Sequence, residues 1–242
     1  MSRGSPCAAA RRSGAVACLQ CEVREISLCG ELPENDLSEL QSLVRHKEMQ
    51  PGTPIFEEGD EARYVYNVSS GTIRLYKLLP NGRRQITGFL YPGDFLGLAA
   101  RDIYSYGAEA VTELRLCQFG VRELEGLFER FPAMRARLFA IAKDELAAAQ
   151  DQMLLLGRKT PIEKVSSFLL RRLKDARRFD PESDRIFLPM SRNDIADYLG
   201  LTIETVSRTF TRLKNDGVIN LPDSHNVRIP DDEKLSELAE ES

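Results

Sequence analysis

The sequence predicts an α+β chain in which a roll of antiparallel strands is followed by one long helix and then by a helical section closed by a short β wing. Three observations carry that expectation. Turn pairs punctuate residues 48 to 119 at roughly every eleventh position, as in a chain of short strands. After Gly120 the hydrophobic period changes from two to about three and a half, the mark of a helix. Near the end, Gly200 parts two short helical patterns, each opened by a capping residue. The expected division is a tail and cysteine loop over 1–30, a β roll over 31–120, a long helix region over 121–158 and a helix-turn-helix section over 159–242.

Composition narrows the class. With 242 residues, 42% hydrophobic and 29% charged, the chain has the material for two modest domains. No apolar run is long enough to span a bilayer, so no membrane partner is expected. Arg3, Arg11 and Arg12 among Ala and Ser, interrupted by Gly14, read as a tail rather than a targeting segment. The expected location is cytoplasmic, where thiols stay reduced and a disulfide framework is not anticipated. The net charge of -4 is unevenly spread. Lys and Arg outnumber Asp and Glu from Arg158 to Lys214, whereas residues 31–61 and the C-terminal tail are acidic.

Taken in order, the first informative element is a crowd of thiols. Cys18, Cys21 and Cys29 share one short stretch, Cys117 stands far along the chain and Cys7 lies near the start. Four thiolates closed by folding can hold a metal ion or an iron-sulfur centre. The run from Cys18 to Cys29 is mostly polar and gives its thiols little to pack against. Cys117, in the apolar run Leu114 to Phe119, also suits an ordinary buried small hydrophobe. A Cys-x2-Cys pair is common in zinc hairpins, but such sites usually add a second close doublet, lacking here. Spacing alone leaves zinc and iron-sulfur both open.

Strands are expected at Tyr64 to Val68, Thr72 to Leu79, Arg84 to Leu90 and Leu114 to Phe119, each alternating enough to cover one face of a sandwich or roll. Gly59-Asp60, Ser70-Gly71, Asn81-Gly82 and Pro92-Gly93-Asp94 mark turns. Asn81-Gly82 is the strongest hairpin signal, because both residues tolerate the positive φ of a two-residue hairpin turn.

Pro132 then fits the first turn of a helix reaching about Leu156. Along it Phe139, Ala142, Leu146, Ala149, Met153 and Leu156 alternate steps of three and four, the seam of a two-stranded coiled coil. Packing of the same stripe on the chain's own β roll is the other reading. The small Ala142 and Ala149 allow close approach and point to a homodimer. Asp144 and Asp151 beside the seam set like charges together, so pairing should be marginal and adjustable.

A further helix pattern, Ile162, Val165, Phe168, Leu169 and Leu173, runs into the polar stretch Asp175 to Asp184. Ser191 with Asp194 forms a capping box for a short helix carrying Ile195, Ala196 and Leu199. Thr202 caps the next helix, whose Val206, Phe210 and Leu213 face inward until Gly217. A wing is expected from Val218 to Leu221 paired with Asn226 to Ile229. This is a winged helix-turn-helix, so double-stranded DNA is the expected partner. Glu204, Ser207 and Arg208 share the leading face of the second helix. An arginine fork matches the O6 and N7 of guanine and a glutamate accepts from cytosine N4. Arg192, Arg212 and Lys214 are expected to grip phosphates. No phosphate loop, metal-binding histidine cluster or nucleophile elbow is present, so an enzyme is not expected.

In this order, over essentially residues 31 to 230, the elements resemble the cyclic-AMP receptor protein superfamily, whose sensor domain is a jelly-roll-like β roll of the cyclic-nucleotide-binding type. The cysteines, Leu201-Thr202-Ile203-Glu204-Thr205-Val206-Ser207-Arg208, Ser70-Gly71-Thr72-Ile73, Gln85-Ile86-Thr87-Gly88-Phe89 and Gln152-Met153-Leu154-Leu155-Leu156 are similar to one branch, the fumarate and nitrate reductase regulators (FNR). The interval from Cys21 to Cys29 resembles the FnrL and FnrN type. The resemblance implies an oxygen-sensing transcription regulator of anaerobic or microaerobic genes, with a 4Fe-4S cluster on Cys18, Cys21, Cys29 and Cys117. It implies that the loaded dimer binds TTGAT-type inverted repeats through Glu204, Ser207 and Arg208, that oxygen inactivates it, and that the Leu79 to Arg84 hairpin meets RNA polymerase. Cys7 has no counterpart. A cyclic nucleotide is not expected, because the segment from Phe95 through Ala108 offers neither a phosphate-binding arginine nor a ribose-binding glutamate where the superfamily places them. Haem is not expected either, with only His46 and His225 in the chain. A zinc-stabilised or cluster-free DNA-binding regulator of the same superfamily is the alternative.

Overall fold

Alternation along two strands decides how the first part of the molecule is layered. In β3 (Tyr64–Ser70) the even positions Tyr66 and Val68 join Leu114 and Leu116 of β8 (Leu114–Gly120) in one buried cluster. The odd position Val65 joins Phe119 of β8 in a different one. A strand sends successive side chains to opposite faces, so this sheet is covered on both sides. The expectation of strands covering a single face is corrected at β3, where four successive residues are buried.

The computed structural model describes residues 17–98 and 102–240. It divides into two compact units, Met1–Lys77 with Thr87–Leu146, and Leu78–Ile86 with Ala147–Ser242. Cys7 lies outside the described residues, as do residues 99–101 of the segment considered for a cyclic nucleotide.

Six further strands complete the β part: β1 (Arg45–Met49), β2 (Pro54–Phe56), β4 (Ile73–Leu78), β5 (Arg84–Leu90), β6 (Phe95–Leu96) and β7 (Gly107–Ala110). They form two four-stranded sheets, ordered β1-β8-β3-β6 and β2-β7-β4-β5. Between them lie Phe56, Tyr66, Val68, Ile73, Leu96, Ala108 and Leu116. Gly71 shows why one turn is fixed in sequence. Its φ is +92°, and a Cβ there would stand 2.3 Å from the Glu113 carbonyl oxygen, so only glycine fits. The hairpin at Asn81-Gly82 differs from expectation. Only Gly82 has positive φ, and Leu79 N–H donates to the Arg83 carbonyl, so the loop is three residues long. Pro80, with its φ preset, suits the first corner of such a loop, and Gly82 takes the left-handed position.

The outer face of the β1-β8-β3-β6 sheet is covered from two directions. Leu28 and Leu32 come from the cysteine stretch, Leu37 and Leu40 from α1 (Leu37–Leu43), Leu124 and Leu127 from α2 (Val121–Arg130), and Met134 from α3 (Pro132–Arg158). Cys18, Cys29 and Cys117 pack against this same cluster.

In the second unit, α4 (Pro161–Ala176), α5 (Arg192–Leu199), α6 (Ile203–Asn215) and α7 (Asp232–Glu240) enclose a core of Val165, Phe168, Ile195, Leu199, Val206, Phe210 and Leu213. The wing is broader than expected. β10 (Asn226–Arg228) pairs along its length with β9 (Arg185–Phe187), and its expected pairing with residues 218–221 is reduced to one antiparallel bridge, in which Asn220 and Arg228 exchange backbone hydrogen bonds. The observed register sets Val227 opposite Ile186 and buries both, while Val218 and Ile219 are consumed by the core.

Candidate functional site

Two places carry chemistry, one in each unit. The first is the thiol centre. Cys18 sits in a short 3-10 turn (Ala17–Gln20), Cys21 just beyond it, and Cys29 in a second such turn (Leu28–Glu31). These turns are tied locally. Ser27 Oγ donates to the Val23 carbonyl at 2.6 Å, and Arg24 Nη2 donates to the Leu32 carbonyl at 3.0 Å. Cys117 projects from β8, the strand between β1 and β3, with His46 opposite it on one side and Asn67 on the other.

Folding brings these sulfurs together. Burial, then the neighbouring thiols Cys21, Cys117 and Cys18, push the Cys29 thiol up to about 12. Each of the three is therefore near enough to Cys29 to oppose its ionisation. Four such thiols cannot all become thiolates without a cation among them, which is the donor chemistry of a metal or cluster site. Among the described residues, no three His, Cys, Asp or Glu side chains converge tightly enough to close on one metal ion. A mononuclear zinc site needs sulfurs roughly 3.8 Å apart, given Zn–S bonds of about 2.3 Å.

The sequence reading missed three polar side chains at this site. Ser69 Oγ lies 3.3 Å from Cys117 Sγ, His46 Nδ1 lies 3.8 Å from that sulfur, and Asn67 Nδ2 donates to Cys29 Sγ at 3.9 Å. The signal was present, since Asn67 and Ser69 alternate with Tyr66 and Val68 and so share a strand face. Only the register of β3 on β8 shows which neighbours they meet. Arg137 was missed as well. From α3 its Nη2 donates to the Ile26 carbonyl, inside the cysteine stretch, at 3.0 Å.

The second place is α6. Ser191 accepts from the Asp194 N–H and returns a hydroxyl hydrogen bond of 2.7 Å to its carboxylate, fixing the start of α5. Gly200 ends α5 with φ of +62°, and Thr202 accepts from the Thr205 N–H to start α6. Asp194 is further engaged by Arg84, at 2.7 Å. Val206, Phe210 and Leu213 hold α6 inward, which leaves Glu204, Ser207, Arg208, Arg212 and Lys214 exposed on its outer faces. Hydrogen bonds from its own backbone N–H and the Thr202 hydroxyl keep the Glu204 carboxyl below the ordinary range, so it stays an acceptor. Arg212 has Asp216 nearby at 3.6 Å. Arg192 is placed differently from the other cations. Its guanidinium lies 3.6 Å over the Phe210 ring and is half-buried, so its face is committed to the fold and only its edge can meet a phosphate.

The coiled-coil seam on α3 is laid bare. Phe139, Leu146 and Met153 are 68%, 61% and 72% exposed, Ala149 and Leu156 are exposed, and Ala142 is half-buried. Met134 and Leu155 are the buried residues of α3, and neither belongs to this stripe.

With this geometry in place, likeness to known proteins decides the family. The profile of the cyclic nucleotide-binding domain matches residues 46–131, and that of bacterial regulatory proteins of the crp family matches residues 188–219. The transcriptional activatory protein AadR of Rhodopseudomonas palustris is 44% identical over 220 residues, covering 90% of this chain and 91% of AadR. The chain belongs to the Crp/FNR family. The transcriptional activator protein FnrL of Cereibacter sphaeroides is 36% identical over 226 residues, 92% of this chain and 91% of FnrL. The structure of FixK2 from Bradyrhizobium japonicum superposes with a TM-score of 0.74 at 36% identity, covering 81% of this chain and 96% of that one. As a Crp/FNR member the chain is a DNA-binding transcription activator and not an enzyme. Among the described residues no helix is long and apolar enough to cross a membrane.

Proposed function

We propose that this Crp/FNR regulator senses oxygen through an iron-sulfur cluster on Cys18, Cys21, Cys29 and Cys117, and that the loaded form binds DNA as a homodimer. The observation that carries the reading is that Cys18 and Cys29 of the N-terminal stretch and Cys117 of β8 pack against one buried cluster, which Met134 of α3 joins, with Cys21 directly after the turn that holds Cys18. The donor set fits the group: four soft sulfurs, mutually repelling when ionised and half-buried. When bound, a 4Fe-4S cluster supplies four bonds that tie the N-terminal stretch to β8 through an oxygen-labile core.

The residues of the chain transmit the tie. Leu28, next to Cys29, shares its cluster with Met134 of α3, and Arg137 of α3 holds the Ile26 carbonyl. Fixing the cysteine stretch therefore fixes the inward face of the helix whose outward face is the seam. Burying one Phe, Leu or Met contributes about 1.5 to 3 kcal/mol, whereas association costs about 4 to 15 kcal/mol. Such a seam holds two chains only marginally, so a small change on the inward side moves the equilibrium. Pairing sets two α6 helices on successive DNA turns, and two weak half-site contacts on a TTGAT-type inverted repeat then act as one strong contact. The exposed Leu78 and Leu79 at the hairpin supply a surface for RNA polymerase.

Purification without air, with iron and sulfide assayed beside the visible spectrum and operator affinity, tests the reading. A brown protein that bleaches in air and then binds its operator more weakly supports it. A colourless protein holding zinc, or equal affinity with and without air, overturns it.

A further inference from the structure

The thiol centre is lined by groups whose chemistry answers a ligated sulfur. His46, Cys117 and Asn67 form one row across β1, β8 and β3, with Ser69 one pleat further along β3. Asn67 is the telling member. Only 3% exposed, it presents Nδ2 to Cys29 Sγ, and its Oδ1 has no hydrogen-bond partner. A buried amide with an unmet oxygen is costly, and apolar packing has no use for one. An amide aimed at a sulfur centre gives it a purpose.

We propose that Asn67, Ser69 and His46 are positioning residues for the inorganic centre, donating hydrogen bonds to the ligated sulfurs of Cys29 and Cys117. This deepens the cluster reading and rests on it. In the free thiol, either partner of the Ser69 and Cys117 pair can donate. A ligated sulfur carries no proton and can only accept, so the hydroxyl of Ser69 becomes the donor and His46 takes the tautomer with hydrogen on Nδ1. Asn67 already turns its N–H toward Cys29. Donors of this kind draw charge from the sulfur and hold its orientation, which tightens retention of the centre.

The test uses the full chain, purified without air, as wild type, Asn67→Leu, Ser69→Ala, Ser69→Thr and His46→Leu. Two quantities are read: the anaerobic rate of iron transfer to an iron(II) chelator, and the iron–cysteine stretching bands in the resonance Raman spectrum. Loss of a donor is expected to speed release roughly ten-fold, in line with other outer-shell contacts, and to raise the stretching frequencies. Ser69→Thr keeps a hydroxyl and restores both. Wild-type rates and unshifted bands in Asn67→Leu and Ser69→Ala, with iron and sulfide present in the wild type, overturn this proposal and leave the cluster standing. A wild type without iron and sulfide overturns the cluster reading and this proposal with it. Should Asn67→Leu fail to fold, Ser69→Ala decides alone, since it removes one hydroxyl from a half-buried position.

Discussion

Cys18, Cys21, Cys29 and Cys117 come from two distant parts of the first unit and meet only because β8 lies between β1 and β3 beneath the N-terminal turns. Glu204, Ser207 and Arg208 stand within two turns of a single helix, already ordered by the Thr202 cap and a buried opposite face. The first arrangement exists only when tertiary contacts hold, and it is therefore suited to switching. The second persists through any rearrangement that leaves α6 intact, as befits a fixed reading head. On the proposed reading the first arrangement supplies the signal and the second the fixed code.

That contrast can be broken by substitution, and the thiol centre should respond all or none. Replacing Cys29 or Cys117 with serine is expected to abolish bound iron after anaerobic purification, with circular dichroism of the helix-turn-helix unit unchanged. Next in size is the seam. Leu146→Asp places a charge on the exposed stripe, and operator affinity should fall about 10²-fold or more as avidity is lost, alongside a monomeric elution volume. The tie between the cysteine stretch and α3 ranks third. Arg137→Met removes a charge-assisted bond worth about 1.5 to 3 kcal/mol, so the affinity difference between loaded and air-treated protein should shrink while iron content stays the same. Arg208→Ala is expected to cost about 1 to 3 kcal/mol at its own base pair and to relax preference there, measured against operators mutated singly. Lys214→Ala should have the mildest effect: binding weakens evenly over all sequences, and the salt slope drops by about one.

Legibility in the sequence follows the same divide. The capping box of Ser191 and Asp194, the Gly200 turn and the Thr202 cap were all readable, because each depends on residues within four positions of one another. Gly71 was readable as a turn for the same reason. What escaped was set by partners remote in the chain. The β9 and β10 wing joins two three-residue strands separated by the whole of α5 and α6, too short to announce themselves. Asn67, Ser69 and His46 look like ordinary strand polar residues until the register brings them beside Cys117. The phosphate contact expected of Arg192 is left to its edge, and only the three-dimensional position of Phe210 reveals the stacking of its face. The hairpin loop was misjudged because Pro80 lies just outside the pair of residues that seemed to define it.

The bare ridge of Phe139, Leu146 and Met153 on α3 has a cost beyond the proposed switch. An unmated chain displays greasy surface of the sort that holdase chaperones and degradative machines recognise. On the proposed reading, loss of the mate silences the regulator and in the same step opens this ridge to such machinery.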